Sequence, residues 1–199
     1  MLEAAIVTVR GTTPDATPAI AELDGITLDR LHPDHAGLVV GLLRMRGHAQ
    51  LLDLVPEERN IASLIQTMAG QPWSLPMIAV RDGECVGVAA SVLADVKSLN
   101  ASLLTMFVEP GESTLPLAMM LRQLYWTFPL HRLHIQIPDM DLTREYVDLL
   151  TSVGFDVEGR LVDHLIAAGR PFDVIALGQC RADFEAWCDI HEPRLRLEA

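Results

Sequence analysis

Residues 150–161 have the sequence LTSVGFDVEGRL, which predicts the end of a helix followed directly by a strand. We predict a helix over about residues 142–153, and Gly154 suits the position just after a helix, where the backbone commonly turns left-handed. Two strands are predicted to follow, over residues 157–166 and 172–177, joined by a short turn that contains a glycine. The chain therefore ends a helix and enters a two-stranded arm within this stretch.

Upstream, the pattern of apolar residues alternates between helical and strand spacing. An Asp-Gly pair at Asp82 and Gly83 separates two apolar runs and is typical of a tight hairpin turn. The predicted order of elements is β-α-α-β-β-β-α-β-α-β-β. Before the closing arm, the predicted strands are residues 26–31, 77–80, 85–93, 102–108 and 132–137, and the predicted helices begin at Pro33-Asp34 and cover 56–68 and 115–126.

The chain has 199 residues, half of them hydrophobic, which fits one domain with a packed core and excludes an intrinsically disordered chain. We predict three parts. Residues 1–25 would form an N-terminal strand, at 4–9, and a linker. Residues 26–187 would form the folded domain, and residues 188–199 a C-terminal tail.

The formal charge is −12, with 27 acidic and 15 basic side chains, which argues against a protein that binds nucleic acid by neutralising phosphates. The start of the chain lacks the basic region of a signal peptide, and no apolar run approaches the ~20 residues that cross a membrane. We therefore expect a cytoplasmic protein with no membrane partner. The three scattered cysteines and the His32/His35 pair predict neither a disulfide framework nor a metal site.

These elements resemble the fold of the GNAT N-acetyltransferase superfamily, and within it the RimJ/RimL type. The likeness covers about residues 26–187 and rests on three pieces of sequence. The first is the hairpin IAVRDGECVGVA at residues 78–89, the second is the Gly-Phe and Glu-Gly-Arg of residues 150–161, and the third is GRPFDVIALG at residues 169–178 with Phe184 and Trp187 after it. The resemblance implies an α/β (α+β) fold, a mixed, mostly antiparallel twisted sheet flanked by helices with a central β-α-β crossover.

The resemblance also implies a function: transfer of an acyl group from acetyl-CoA to an amine, on a small molecule or a peptide, by a chain that could form a homodimer. Backbone N–H groups at the end of the third core strand would polarise the thioester carbonyl. The next turn would hold the pyrophosphate at a helix N-terminus. The residues that the resemblance places beside the cofactor are Met106, Phe107, Val108, Ser113, Thr114, Leu115, Leu117, Ala118, Thr143 and Tyr146.

The sequence departs from the family pattern in the pyrophosphate turn. Ser113 stands at the family's Arg or Gln, Thr114 and Pro116 stand at its glycines, and only Ala118 matches. Pro116 has no N–H to offer a phosphate, and Glu112 brings a negative charge to a site for an anion.

A second departure lies in the next helix. Leu150 occupies the position of the tyrosine that protonates the thiolate in the family, so the usual general acid is missing. Tyr146 occupies a position at which the family keeps a small residue. Its ring would either obstruct the pantetheine arm of acetyl-CoA or pack in the core as a buried tyrosine. These departures leave an alternative function open beside the transferase, a non-catalytic protein of this fold that has lost cofactor binding and serves as a binding or dimerisation module.

His134 is the candidate general base, because it shares one face of its predicted strand with Gln136 and could point into a cleft. A surface or hydrogen-bonded histidine is the other interpretation of the same position.

Overall fold

The computed structural model describes residues 19–45, 57–95, 97–167 and 169–197. The described chain forms one mixed sheet with helices on both faces. Its strands are β1 Ala21–Leu23, β2 Ile26–Arg30, β3 Met77–Arg81, β4 Glu84–Asp95, β5 Asn100–Phe107, β6 Arg132–Pro138, β7 Asp156–Ala167 and β8 Arg170–Cys180. Its α-helices are α1 Ala36–Met45, α2 Glu58–Ala69, α3 Thr114–Thr127, α4 Arg144–Ser152 and α5 Arg181–His191.

The strand order in the sheet is β1-β2-β3-β4-β5-β6-β8-β7. Neighbouring strands run antiparallel except β5 and β6, which are parallel and are joined through the crossover helix α3. This arrangement confirms the predicted fold class, a mostly antiparallel sheet with a central β-α-β crossover.

Two apolar clusters lie on opposite faces of the sheet. The larger joins the sheet to α3, α4 and α5, and its fully buried aromatic residues include Phe107, Tyr125 and Phe184. The smaller lies beneath α1 and α2 and includes Leu42, Ile65, Ile78 and Val88. Burial of these side chains supplies the main driving force for folding.

Two predicted turns have the backbone that their residues favour. Asp82 and Gly83 both have positive φ, of 53° and 82°. This is the conformation of the tight turn that suits the twist of a hairpin. Gly154 has φ of 93° immediately after α4. It therefore closes the helix as predicted.

The sheet and the core extend beyond the predicted limits of 26 and 187. Strand β1 lies within the predicted linker and pairs with β2. The predicted order omits helix α5, although Phe184 and Cys188, four residues apart and both fully buried, carry the helical spacing that reveals it. Leu195, in the predicted tail, is also buried in the larger cluster. The strand predicted at residues 4–9 lies outside the described residues.

Candidate functional site

Strands β5 and β6 separate along their length. They pair only through three positions, from Asn100 with Arg132 to Ser102 with His134. Beyond this point β5 stays paired with β4 as far as Phe107, and β6 stays paired with β8 as far as Pro138. We call the space between the two diverging strands the cleft.

The side chain of Tyr146, from α4, closes the cleft at Phe107. Its hydroxyl accepts the Phe107 N–H at 2.9 Å and donates to the Phe107 carbonyl at 3.0 Å. Tyr146 is only 4% exposed and belongs to the larger apolar cluster. The single hydroxyl of Tyr146 therefore binds both the N–H and the carbonyl of Phe107, which point into the cleft and not toward β4.

The Val108 N–H has a partner as well. It donates to the carbonyl of Val86 on β4 at 3.0 Å. Two of the three N–H groups predicted to polarise a thioester, those of Phe107 and Val108, thus bind other groups of the chain. The third position, Met106, packs its side chain against the smaller cluster on the opposite face of the sheet.

A short 3-10 helix, Pro110–Glu112, replaces an open glycine turn between β5 and α3. The Ser113 N–H donates to the Pro110 carbonyl, and the Ser113 hydroxyl donates to the Glu109 carbonyl at 2.6 Å. Pro116, in the first turn of α3, is buried and has no N–H. In the predicted pyrophosphate turn, the Ser113 N–H and hydroxyl are therefore bound within the chain, and Pro116 offers no donor.

Acidic side chains surround the start of α3. A groove of about 220 Å³ runs between the β3–β4 hairpin and the 3-10 helix. Four carboxylates and one guanidinium line it, together with apolar and small residues, so a pyrophosphate there would meet like charges. The charged lining residues are Arg81, Asp82, Glu84, Glu109 and Glu112.

The other predicted cofactor residues serve the fold. Leu117 and Ala118 are fully buried in the larger cluster, and Leu115 packs against it. Thr143 donates its hydroxyl to backbone carbonyls at and just after the end of β6 and accepts the Met140 N–H at 3.2 Å. The Thr114 hydroxyl lies 3.3 Å from the Ser152 hydroxyl. Of the predicted cofactor set, the structure brings Phe107 and Tyr146 together at the cleft.

Leu150, at the position where the family has its tyrosine, is fully buried and supplies no acid itself. The Cys85 thiol lines the acidic groove, but burial raises its pKa to about 11. It therefore stays protonated near neutral pH.

Among the residues that the structure describes, no group of three histidine, cysteine or acidic side chains could hold a metal ion. No helix within these residues is long and apolar enough to cross a membrane.

His134 lies at the last paired position before the cleft opens. Its Nε2 is 2.8 Å from the hydroxyl of Ser102, the residue opposite it on β5. Ser102 is not among the predicted site residues, because the partner of a strand residue follows from register, which a single sequence does not show.

The position of His134 does not match the predicted thioester site. Phe107 lies five residues beyond Ser102 on β5. This separation corresponds to roughly 16 Å at about 3.3 Å per residue. A general base must come within hydrogen-bond reach of its proton, or within one water of it. His134 therefore does not lie beside the carbonyl position predicted at Phe107, and its role as general base stays a prediction.

We expect His134 to make stability depend on pH. Burial, and secondarily the charge of Arg132, lower the pKa of His134 in the folded protein. In the unfolded chain its pKa returns to ~6.5, so below that pH the unfolded state binds more protons and folding weakens. The free energy of unfolding should thus be highest above pH ~6.5 and fall as the pH drops toward the folded pKa.

Urea denaturation of the wild type and of His134→Gln across this range measures the effect. The free energy of unfolding of the variant should fall less over this range than that of the wild type. His35, whose pKa burial also lowers, contributes to the decline that remains. Identical pH profiles for the two proteins would show that His134 does not titrate in this way.

No protein-family model and no curated protein matches the sequence. Solved structures do match. A GNAT-family acetyltransferase from Streptococcus pneumoniae is 17% identical, with a TM-score of 0.62 over 78% of this chain and 99% of the other. Spermidine N-acetyltransferase from Vibrio cholerae in complex with CoA and spermine is 15% identical, with a TM-score of 0.67 over 81% and 99%.

RimJ from Mycobacterium smegmatis in complex with CoA-disulfide is 20% identical, with a TM-score of 0.64 over 79% of this chain and 82% of the other. At such identities a structural likeness establishes the fold. The chain has the fold of the GNAT acetyltransferases, as the sequence predicts.

Proposed function

We propose that this chain is a non-catalytic GNAT-fold protein that acts as a binding or dimerisation module and does not bind acetyl-CoA in its cleft. The observation that carries the proposal is the Tyr146 hydroxyl, which takes the backbone N–H and carbonyl of Phe107. These are the groups from which the family resemblance would have the strand hold the acyl donor.

Two features of the described side chains support this proposal. To reach Phe107, a donor would have to expel a tyrosine that is 4% exposed and replace both of its hydrogen bonds. Any of these buried polar groups that the donor left without a partner would cost about 1–3 kcal/mol. The free energy of binding acetyl-CoA would be weakened by that amount. The four carboxylates near the start of α3 add repulsion against a pyrophosphate.

Thermal denaturation with acetyl-CoA tests the proposal. A ligand at 100 times its dissociation constant stabilises the folded state by about 2.7 kcal/mol, which shifts the melting temperature by several degrees in a chain of this size. We expect no such shift for the wild type at about millimolar acetyl-CoA. A clear, saturable shift would contradict the proposal.

The second candidate function is acetyl-CoA-dependent N-acetyltransfer to an amine of a small molecule or a peptide. The structural likeness to N-acetyltransferases favours this function, and one of these structures contains CoA and spermine. It requires the Tyr146 ring to leave the cleft. If acetyl-CoA shifts the melting temperature, release of CoA thiol in the presence of spermine and a panel of other amines would decide between catalysis and simple binding.

A further inference from the structure

Strands β7 and β8 extend beyond the rest of the sheet as a two-stranded arm, which we define as residues 161–167 and 169–172. Strand β6, the other neighbour of β8, ends at Pro138. Beyond this point, within the described residues, β8 pairs with β7 alone, as Leu165 does with Phe172. The apolar side chains of the arm belong to neither of the two apolar clusters. Two strands without a further layer are marginally stable, so a surface that packs on the arm stabilises it.

Apolar side chains of the arm are exposed. Val162 and Ile166 are 73% and 75% exposed, and Val157, just before the arm on β7, is 55% exposed. Among the described residues, seven large apolar side chains are exposed, and these three share one strand. A single exposed apolar residue is ordinary, but a group of them on one element marks an interaction surface. The arm therefore presents an apolar surface for a partner.

Ion pairs fix the base of the arm against the sheet. The guanidinium of Arg160 contacts the carboxylate of Asp139, directly after β6, at 2.9 Å and that of Asp173, on β8, at 2.7 Å. The Asp173 carboxylate also accepts the Asp163 N–H at 2.8 Å. These bonds join β6, β7 and β8 where the arm begins. A partner therefore meets a surface that is already in place, which lowers the entropic cost of association.

The free edge of β7 is unsuited to continuous pairing with a further strand. The register between β7 and β8 shifts between Val157 and Gly159 and again between Leu161 and Leu165. Asp163, within the second shift, has φ of 51°. Such irregularities bend a strand and interrupt its row of N–H and carbonyl groups. The side chains of the arm, rather than its backbone edge, are therefore the contact surface.

The arm is electrically balanced in a chain of formal charge −12. With histidine counted as neutral, Asp163 and Arg170 are its charged side chains. Both are exposed, and neither forms a salt bridge with another described residue. Over most of their surface two copies of so acidic a chain repel each other, but two arms do not.

The positions of the two charges fit a second copy of the arm. Asp163 lies at the base, where its N–H binds Asp173, and Arg170 lies at the tip, beside the turn at Gly169. A two-fold axis makes each contact occur twice, since residue i of one copy meets residue j of the other. Two arms that lie antiparallel about such an axis bring each Asp163 to the Arg170 of the other copy.

We propose that the arm is the surface through which two copies of this chain form a homodimer. The two arms pack antiparallel about a two-fold axis, with Val162 and Ile166 buried between them and Asp163 of each copy paired with Arg170 of the other. The inference rests on the proposed function and deepens it, because it names the partner and the surface of the dimerisation module. A strongly basic partner would favour the acidic remainder of the chain, whereas a neutral apolar arm fits a second arm.

Sedimentation equilibrium of the full chain tests the proposal. We expect a dimer at tens of micromolar, and dimerisation at least about tenfold weaker in Ile166→Glu, because a carboxylate would be buried in an apolar contact. Ile190→Glu is the matched control, since it makes the same change at an isoleucine of α5 that is 76% exposed, and it should leave the dimer intact. A dimer that survives Ile166→Glu, or that Ile190→Glu dissociates equally, would overturn the proposal.

A double-mutant cycle tests the ion pair between the copies. Asp163→Asn and Arg170→Gln should each weaken dimerisation by roughly three- to tenfold, because each removes two pairs from the dimer. Asparagine tolerates the positive φ of this position as aspartate does, so the arm keeps its form. The combined variant should be about as weak as either single variant, since all three lack the same pairs. Additive losses would show that the two side chains do not meet and would overturn the antiparallel arrangement.

The dimer and the loss of cofactor binding fail in different experiments. A wild-type chain that stays monomeric at tens of micromolar would overturn this inference and leave the arm to a different partner protein. It would not bear on acetyl-CoA binding. A thermal shift with acetyl-CoA would contradict the proposed function, while the sedimentation of the wild type and of Ile166→Glu would still decide whether the arm joins two copies.

Discussion

We expect Tyr146→Ala to lower the free energy of unfolding by about 3–5 kcal/mol. The ring is almost fully buried between β5 and α4, and its removal leaves a cavity in the larger apolar cluster. The loss also leaves the N–H and carbonyl of Phe107 without their partner. Since domains are typically stable by only about 5–15 kcal/mol, urea denaturation should show a much lower midpoint.

Tyr146→Phe separates the hydroxyl from the ring. It keeps the packing and removes both hydrogen bonds, so we expect a loss of about 1–3 kcal/mol. A Phe variant as stable as the wild type would mean that water replaces the phenol at Phe107. In that case the cleft would be open to solvent and the closed-cleft proposal would fail.

The same two variants report on the cleft. If Tyr146 alone keeps acetyl-CoA out, the Ala variant should gain a thermal shift with acetyl-CoA that the wild type lacks. If the four carboxylates of the groove also exclude it, the gain should appear only when Glu109→Gln and Glu112→Gln are added. Acetyl-CoA binding to the wild type as strong as to the Ala variant would show that Tyr146 is no obstacle.

The sequence predicts most of the fold because the signals for its elements are local. The hairpin is predicted from two neighbouring residues, Asp82 and Gly83, which favour the left-handed backbone of its turn. The end of α4 is predicted from Gly154, which follows an amphipathic helical pattern. The parallel pairing of β5 and β6 follows from the family resemblance and from the preference of strand-helix-strand units for this geometry. These parts need no knowledge of distant contacts.

The site is harder to predict because its contacts join residues far apart in the sequence. Tyr146 and Phe107 are 39 residues apart, and Ser102 and His134 are 32 apart. The family resemblance implies a small residue at the position of Tyr146, but it does not show which backbone group the tyrosine hydroxyl reaches. The acidic groove likewise combines carboxylates of the β3–β4 hairpin with carboxylates of the turn before α3, and these two segments lie far apart in the sequence.

Gly87→Ala is the second substitution for which we expect a large effect, a loss of about 3 kcal/mol in the free energy of unfolding. Gly87 on β4 stands directly opposite Phe107 on β5, and a methyl group there would overlap the Phe107 ring. That ring is fully buried, so it cannot turn toward solvent to make room. Urea denaturation measures the loss as a lower midpoint.

Gly41→Ala is the matched control, because it makes the same chemical change in α1, where a methyl group meets no atom of the described residues within 4 Å, apart from the helix's own backbone. Alanine is the better helix former, so the control should stabilise the protein by up to about 1 kcal/mol. Adding Phe107→Leu to Gly87→Ala should restore part of the lost stability, since the smaller side chain relieves the overlap. If the two changes are simply additive, the loss of stability in Gly87→Ala does not come from overlap with the Phe107 ring.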